Sequence, residues 1–99
     1  LPFPFSDLSE SKVRPAVVLA RANQSDWILC QITSNPYGDA QAIVIDKTDF
    51  EAGMLQLQSY ARPSKLFTAN EGLIISIEGT LKPEKLTEIR KAITAMLEG

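Results

Sequence analysis

A chain of 99 residues, 44% hydrophobic and 22% charged, can bury one core and no more, which excludes two-domain enzymes and repeat arrays. Ten Lys and Arg against twelve Asp and Glu give a net charge of -2, so any contact with nucleic acid must be a local patch rather than a coat of bulk charge. His is absent and Cys30 is the single Cys, which excludes His/Cys zinc sites, Ser-His-Asp triads, Cys-His dyads and an intrachain disulfide, and makes a reducing cytoplasm the simplest compartment.

The opening Leu1-Pro2-Phe3-Pro4-Phe5 is too short and too rich in proline for a signal peptide or a membrane span, and no membrane partner is expected. It reads as the end of a first strand that begins upstream. Ser6 to Lys12 is polar and without period, hence a loop leading into Val13-Arg14-Pro15. Pro15 to Ala20 is a short β-branched run, Arg21 to Ser25 a polar turn, and Trp27 to Thr33 a second run, so these two strands pair antiparallel. Ser34 to Asp39 is a loop, and Ala42 to Asp46 a third strand. Phe50 to Leu55 contains Gly53 and has no clear period. Leu57 to Phe67 is broken by Pro63, which cannot donate to a ladder, and so reads as a strand with a bulge or edge position near Arg62. Leu73 to Glu78 is the last strand, ended by Gly79.

The period then changes. Leu86, Ile89, Ile93 and Met96 recur at spacings of three and four, with Ala92 and Leu97 beside them, which specifies one amphipathic helix. Pro83 suits its first turn, Glu84 the positive end of its dipole, and Gly99 its end. Its polar face mixes acids with bases, so it packs on the chain's own sheet rather than on a membrane. About five short strands with a terminal helix make a mainly β domain, a small barrel or strongly bent sheet, over residues 1–99.

Lys12 with Arg14, and Arg62 with Lys65, are cation pairs free of intervening acids. A closed sheet that brings the two pairs together creates a cationic cleft of the kind a phosphodiester needs, with Thr33, Ser34 and Asn35 adding hydroxyl and amide groups at its rim; the alternative is that they are solvated surface groups. Tyr60 is placed to stack on an unpaired base. Trp27 is read as core packing, and Cys30 as a buried structural thiol.

Pro2-Phe3-Pro4-Phe5-Ser6-Asp7-Leu8, Lys12-Val13-Arg14-Pro15-Ala16-Val17-Val18-Leu19, Leu29-Cys30-Gln31-Ile32-Thr33-Ser34 and Arg62-Pro63-Ser64-Lys65-Leu66-Phe67-Thr68 together resemble, in order along nearly the whole chain, the MazF/PemK family of toxins from type II toxin-antitoxin systems. The resemblance implies an SH3-like β-barrel of the MazF/PemK/CcdB type. It also implies a homodimer with single-stranded RNA along its groove, and a metal-independent, cofactor-free endoribonuclease in which the ribose 2'-hydroxyl attacks the neighbouring phosphorus. Carried over residue by residue, Arg14 would stabilise charge on phosphorus, and Thr33, with Ser34 beside it, would hold the scissile phosphate. Lys12, Arg62, Lys65 and Tyr60 would bind RNA. A cognate antitoxin would place an acidic tail in the same groove, and operator DNA would be bound through the antitoxin complex.

Two departures from the family pattern bear on the chemistry. Val13 stands where some members carry a His, which closes a His-dependent route. Arg62-Pro63 stands where some members have a carboxylate, a form of the PemK-like branch, so the acid/base partner is open; Glu10 is the first candidate and Asp7 the second. Two other readings belong to different classes: a CcdB-like barrel without catalysis that acts on a protein such as DNA gyrase, and a homologue that only binds antitoxin or operator DNA.

Overall fold

The computed structural model describes residues 2–4, 11–13, 15–36, 38–55, 57–74 and 76–99. Its frame is the predicted hairpin: β3 (Ala16–Arg21) and β4 (Asp26–Thr33) pair antiparallel, Val17 opposite Cys30 and Arg21 opposite Trp27. Pro15 has no N–H to give, so the ladder begins one residue later than expected, though the Pro15 carbonyl accepts from Ile32 N at 3.3 Å. The turn is held by the Asn23 side chain, whose oxygen accepts from Ser25 N and Asp26 N at 3.1 Å.

β7 (Ser59–Asn70) pairs with the other edge of β4, and β5 (Ile43–Ile45) with β7, giving a four-stranded sheet in the order β3-β4-β7-β5. Two short antiparallel pairs complete the β structure: β1 (Pro2–Pro4) with β2 (Ser11–Val13), and β6 (Phe50–Gly53) with β8 (Gly79–Leu81). The fold is mainly β, a half-barrel of curled sheet with one C-terminal helix, α1 (Pro83–Glu98), as expected from the sequence.

β7 carries the predicted bulge. Its register with β4 passes from Leu66 opposite Cys30 to Ala61 opposite Ile32, so Arg62, Pro63, Ser64 and Lys65 together face the single residue Gln31. The bulge takes Pro63, which has no N–H to donate, out of the regular ladder, and the ring is fully buried.

Alternation along the strands separates two faces. Cys30 and Ile32 of β4, Ser59, Ala61 and Pro63 of β7, and Ile45 of β5 point inward. Against them α1 lays Ile89 and Ile93, with Leu86 beside them. Complete burial of a side chain of this size contributes about 1.5–3 kcal/mol. Polar anchors fix the helix across the sheet: Arg90 donates to the Leu19 carbonyl at 2.8 Å and Lys85 to the Val44 carbonyl at 3.0 Å. Gly99, at φ 85, ends the helix by donating to the Ala95 and Met96 carbonyls.

Five sequence expectations need correction. Ser11 and Lys12 belong to a strand rather than a loop, and the described residues contain eight strands where about five were expected. Among the described residues of Leu73 to Glu78 no strand forms: Glu71–Leu73 is a 3-10 turn, Ile77 is 85% exposed, and the last strand starts only at Gly79. The reason lies in backbone proximity. β6 and β8 meet so closely that a Cβ on Gly53 would lie 2.7 Å from Gly79 Cα, and one on Gly79 2.6 Å from the Ala52 carbonyl oxygen; strand formation follows the glycines rather than the apolar run. Trp27 is half-buried on the outer face, covered by the Arg21 guanidinium at 4.2 Å from the ring centre, and is not part of the core cluster. Leu97, grouped with the apolar stripe, is 71% exposed at the helix end.

Candidate functional site

The same alternation that sends Ile32 and Ala61 inward sends their neighbours outward. Gln31 and Thr33 of β4, and Tyr60 and Arg62 of β7, are all half-buried on the face away from the helix. Thr33 and Tyr60 are direct cross-strand partners, and Val44 of β5 lies opposite Tyr60 on its other side, so one row runs Val44–Tyr60–Thr33 across the sheet. The next row holds Ala16 and Gln31, with the Arg62–Lys65 bulge over its β7 side.

The Thr33 hydroxyl is turned into the loop that follows, donating to the Asn35 carbonyl at 3.0 Å and accepting from Asn35 N at 3.2 Å. It ends the strand and leaves Ser34 exposed beside it. The Tyr60 hydroxyl accepts from Gln58 Nε2 at 3.2 Å, which holds the ring at the sheet margin. Lys65 is exposed on the bulge. Lys12 lies in β2, its Cα opposite Phe3. Arg14 and Glu10, the first candidates for charge stabilisation and for the acid/base group, lie outside the described residues, as does Asp7.

The fold adds an acid that separation along the chain conceals. Asp39 accepts from Arg62 Nε at 2.9 Å, with side-chain exposures of 11% and 20%. Its placement is built locally. Gly38, at φ 76, allows a tight turn in which Asp39 N donates to the Pro36 carbonyl at 2.9 Å, and the other carboxylate oxygen accepts from Gln41 N at 2.9 Å. The Arg62 hydrogen bond, then the Gln41 amide, hold the Asp39 carboxyl below the usual range, with the charges of Arg62 and Lys65 adding to the effect. Asp39 is therefore ionised at neutral pH and cannot serve there as a proton donor; it orients Arg62. Sequence reading recognised the Ser34 to Asp39 turn but had no signal for its partner, since 23 residues separate the two side chains.

Cys30 occupies the inward face behind this site. Its thiol is fully buried and lies 3.1 Å from the Arg62 carbonyl oxygen, to which it donates; burial pushes its pKa up to about 11. This is the structural thiol expected, not a nucleophile.

Among the described residues no three of His, Cys, Asp and Glu gather in a group able to hold a metal ion, and no helix is long and apolar enough to cross a membrane. The pocket of about 290 Å³ beside Asp46 and Leu57 includes none of the predicted residues, and the Thr33, Tyr60 and Arg62 side chains are half-buried on the outer face of the sheet.

No curated protein matches this sequence. A family model described as "PemK-like, MazF-like toxin of type II toxin-antitoxin system" matches residues 2–97, which takes in every strand and nearly all of the helix. With a mainly β half-barrel, a terminal helix and a match that spans the chain, the protein belongs to the PemK-like, MazF-like toxins of type II toxin-antitoxin systems.

Proposed function

We propose that this toxin is an endoribonuclease that cleaves single-stranded RNA along the Thr33–Tyr60 face. The observation that carries the proposal is the gathering of Thr33, Tyr60 and Arg62 on one face of the sheet in a chain of this family. These residues come from separate sequence segments, and each supplies a group that RNA binding uses: a hydroxyl, a ring and a guanidinium.

In the proposed reaction the ribose 2'-oxygen forms a bond to the adjacent phosphorus while the bond to the 5'-oxygen breaks, leaving a cyclic phosphate and a 5'-hydroxyl. One proton leaves the 2'-hydroxyl and one reaches the 5'-oxygen. Arg14 faces the charge that develops on the phosphate oxygens, Thr33 and Ser34 hold the phosphate, and Glu10 takes part in proton transfer. Lys12, Arg62 and Lys65 bind flanking phosphates, and Tyr60 stacks on a base. Asp39 acts through Arg62 as a positioning residue. The reaction uses no metal or cofactor. Residues 1–99 act as a single domain in a cytoplasmic homodimer.

An antitoxin partner follows from family membership. We place its acidic segment on the same cationic face, so that RNA and antitoxin exclude one another, and operator DNA is reached through the antitoxin complex.

The test is to incubate the chain with a long RNA in EDTA and map the cut ends. Cleavage at a short recurring sequence, leaving 5'-hydroxyl ends and lost in a folded Arg14→Ala variant, is the expected result. A folded wild-type chain that cuts no RNA, or toxicity undiminished in Arg14→Ala, overturns the proposal; the latter outcome points to a protein target.

A further inference from the structure

Among the described residues the four-stranded sheet ends on β3 at one side and on β5 at the other. The edge of a sheet presents backbone groups able to pair with a further strand. Which groups face out follows from one hydrogen bond. Ile32 N donates to the Pro15 carbonyl, so Ile32 faces β3, and alternation turns Thr33 toward β7, Tyr60 toward β4 and the Val44 backbone away from the sheet. The same bond sets the other side. With Pro15 turned toward β4, Val17 faces β4 as well, and Ala16 and Val18 direct their N–H and C=O groups outward. Leu19 falls in the register shift between Val18 and Ala20 and has no partner on β4.

Helix α1 reaches both of these edges. Arg90 Nη2 donates to the Leu19 carbonyl at 2.8 Å, and Lys85 Nζ to the outward-facing Val44 carbonyl at 3.0 Å. Five residues of helix cover about 7.5 Å, whereas the three strand spacings from β3 to β5 cover about 14 Å; the curl of the sheet and the two long side chains make up the difference. The Lys85 ammonium is fixed in place by Glu88 at 2.9 Å and Asp49 at 3.7 Å. Ile89 and Ile93 hold the helix against the inner face, and the two cations extend past that face to close a carbonyl at each rim.

The β3 edge has the greater need of cover. Ala16-Val17-Val18-Leu19-Ala20 is apolar, uncharged and free of proline, a composition that favours addition to a like strand, and Val18 is 43% exposed. Charge and proline flank the run, at Arg21 and Pro15, without interrupting it. The partner such an edge fits is an extended apolar strand, and every other copy of the chain carries one.

We propose that α1 guards both edges of the sheet through Arg90 and Lys85, and that the β3 edge it covers is a strand-accepting surface for a second copy of this chain. The inference stands apart from the endoribonuclease reading: it concerns assembly beyond the wild-type state.

Arg90→Met tests the guard at its most exposed point, since Arg90 is itself exposed and lies outside the core cluster. This variant, and more fully Arg90→Met combined with Lys85→Met, should keep the far-UV circular dichroism of the wild type. In size-exclusion chromatography it should elute as larger species that grow with concentration and time. In those assemblies the outward-facing amides of Ala16 and Val18 should gain protection from hydrogen exchange, because an added strand pairs with them. Val18→Lys in the Arg90→Met background, which sets a charge on the edge, should restore wild-type elution. Lys91→Met, a cation lost elsewhere on the same helix, should elute as the wild type does. Gly53→Ala, destabilised at β6 and β8 with both caps in place, should not assemble. Wild-type elution of the double variant at every concentration overturns the proposal. So does equal assembly of Gly53→Ala, or an assembly in which the Ala16 and Val18 amides exchange as in the wild type, since either marks aggregation through unfolding. If the double variant does not fold, Arg90→Met alone is judged by the same readings.

Discussion

Replacing Asp39 by Asn tests whether the carboxylate orients the Arg62 side chain. Aspartate offers two acceptor oxygens here, one taken by Arg62 Nε and one by Gln41 N, each at 2.9 Å. Asparagine offers one, so either the guanidinium or the turn loses its partner, and the charge is lost in both cases. An exposed ion pair contributes about 0.2–1 kcal/mol and a charge-assisted hydrogen bond about 1.5–3 kcal/mol. With side-chain exposures of 20% and 11% the Arg62–Asp39 pair lies between these limits, and we expect a loss of about 1–2 kcal/mol, or roughly 5–15 °C in melting temperature for a chain of this size. The pH dependence has a definite sign. Since the native pKa of Asp39 is depressed, its contribution is complete above the unfolded value of about 3.9 and disappears as pH falls through the lower native value. Wild type and Asp39→Asn should therefore differ by a constant amount in urea unfolding near neutral pH and converge in acid. A double-mutant cycle with Arg62→Ala should return most of the loss as coupling energy. Equal stabilities at neutral pH, or a difference that persists undiminished at about pH 2, would show that Asp39 does not hold Arg62 electrostatically.

Further outcomes follow from other parts of the fold. Gly53→Ala should cost at least about 2 kcal/mol in denaturant unfolding, since Gly53 sits at φ 68 and its new Cβ would press on the Glu78 carbonyl and Gly79 Cα; an unchanged midpoint would mean that β6 and β8 do not approach as closely as described. The Cys30 thiol should resist aromatic disulfide reagents at about pH 8 until the protein unfolds, given complete burial and a pKa near 11. Because that pKa is raised in the native state, the thiol should lower stability as pH climbs from the ordinary thiol range toward about 11, a slope absent in Cys30→Ala; stoichiometric labelling of native protein would refute the burial. Arg14→Ala should abolish cleavage in EDTA without unfolding the chain.

Legibility tracked the range of the interaction involved. The pairing of the Pro15–Ala20 and Trp27–Thr33 runs, the bulge at Pro63 and the helix over Pro83–Glu98 were readable because each rests on a local cause: β-branched content around a turn, a missing N–H, or a repeat of three and four. Leu73 to Glu78 misled because apolar content marks burial or pairing only when a partner is available, and here the partner strand meets Gly79 instead. Trp27 misled for a related reason. Its position in the strand was clear, but the face it occupies was decided by register, and Arg21 opposite it covers the ring from outside.

For the candidate site, composition and the ordered motifs by themselves determined the chemical alphabet: no His, a single Cys, and Arg, Lys, hydroxyl and carboxylate groups for any work on a phosphodiester. Residue types and local propensities are properties of the chain, and folding does not alter them. Which of those groups become neighbours was decided only by the tertiary structure. The β4–β7 register sets Thr33 opposite Tyr60, the loop after β4 carries Asp39 to Arg62, and the bulge leaves Gln31 facing four residues with an oxygen unpaired. Each is a contact between segments far apart in sequence, fixed by how the sheet buries its inner face, and no local pattern records it.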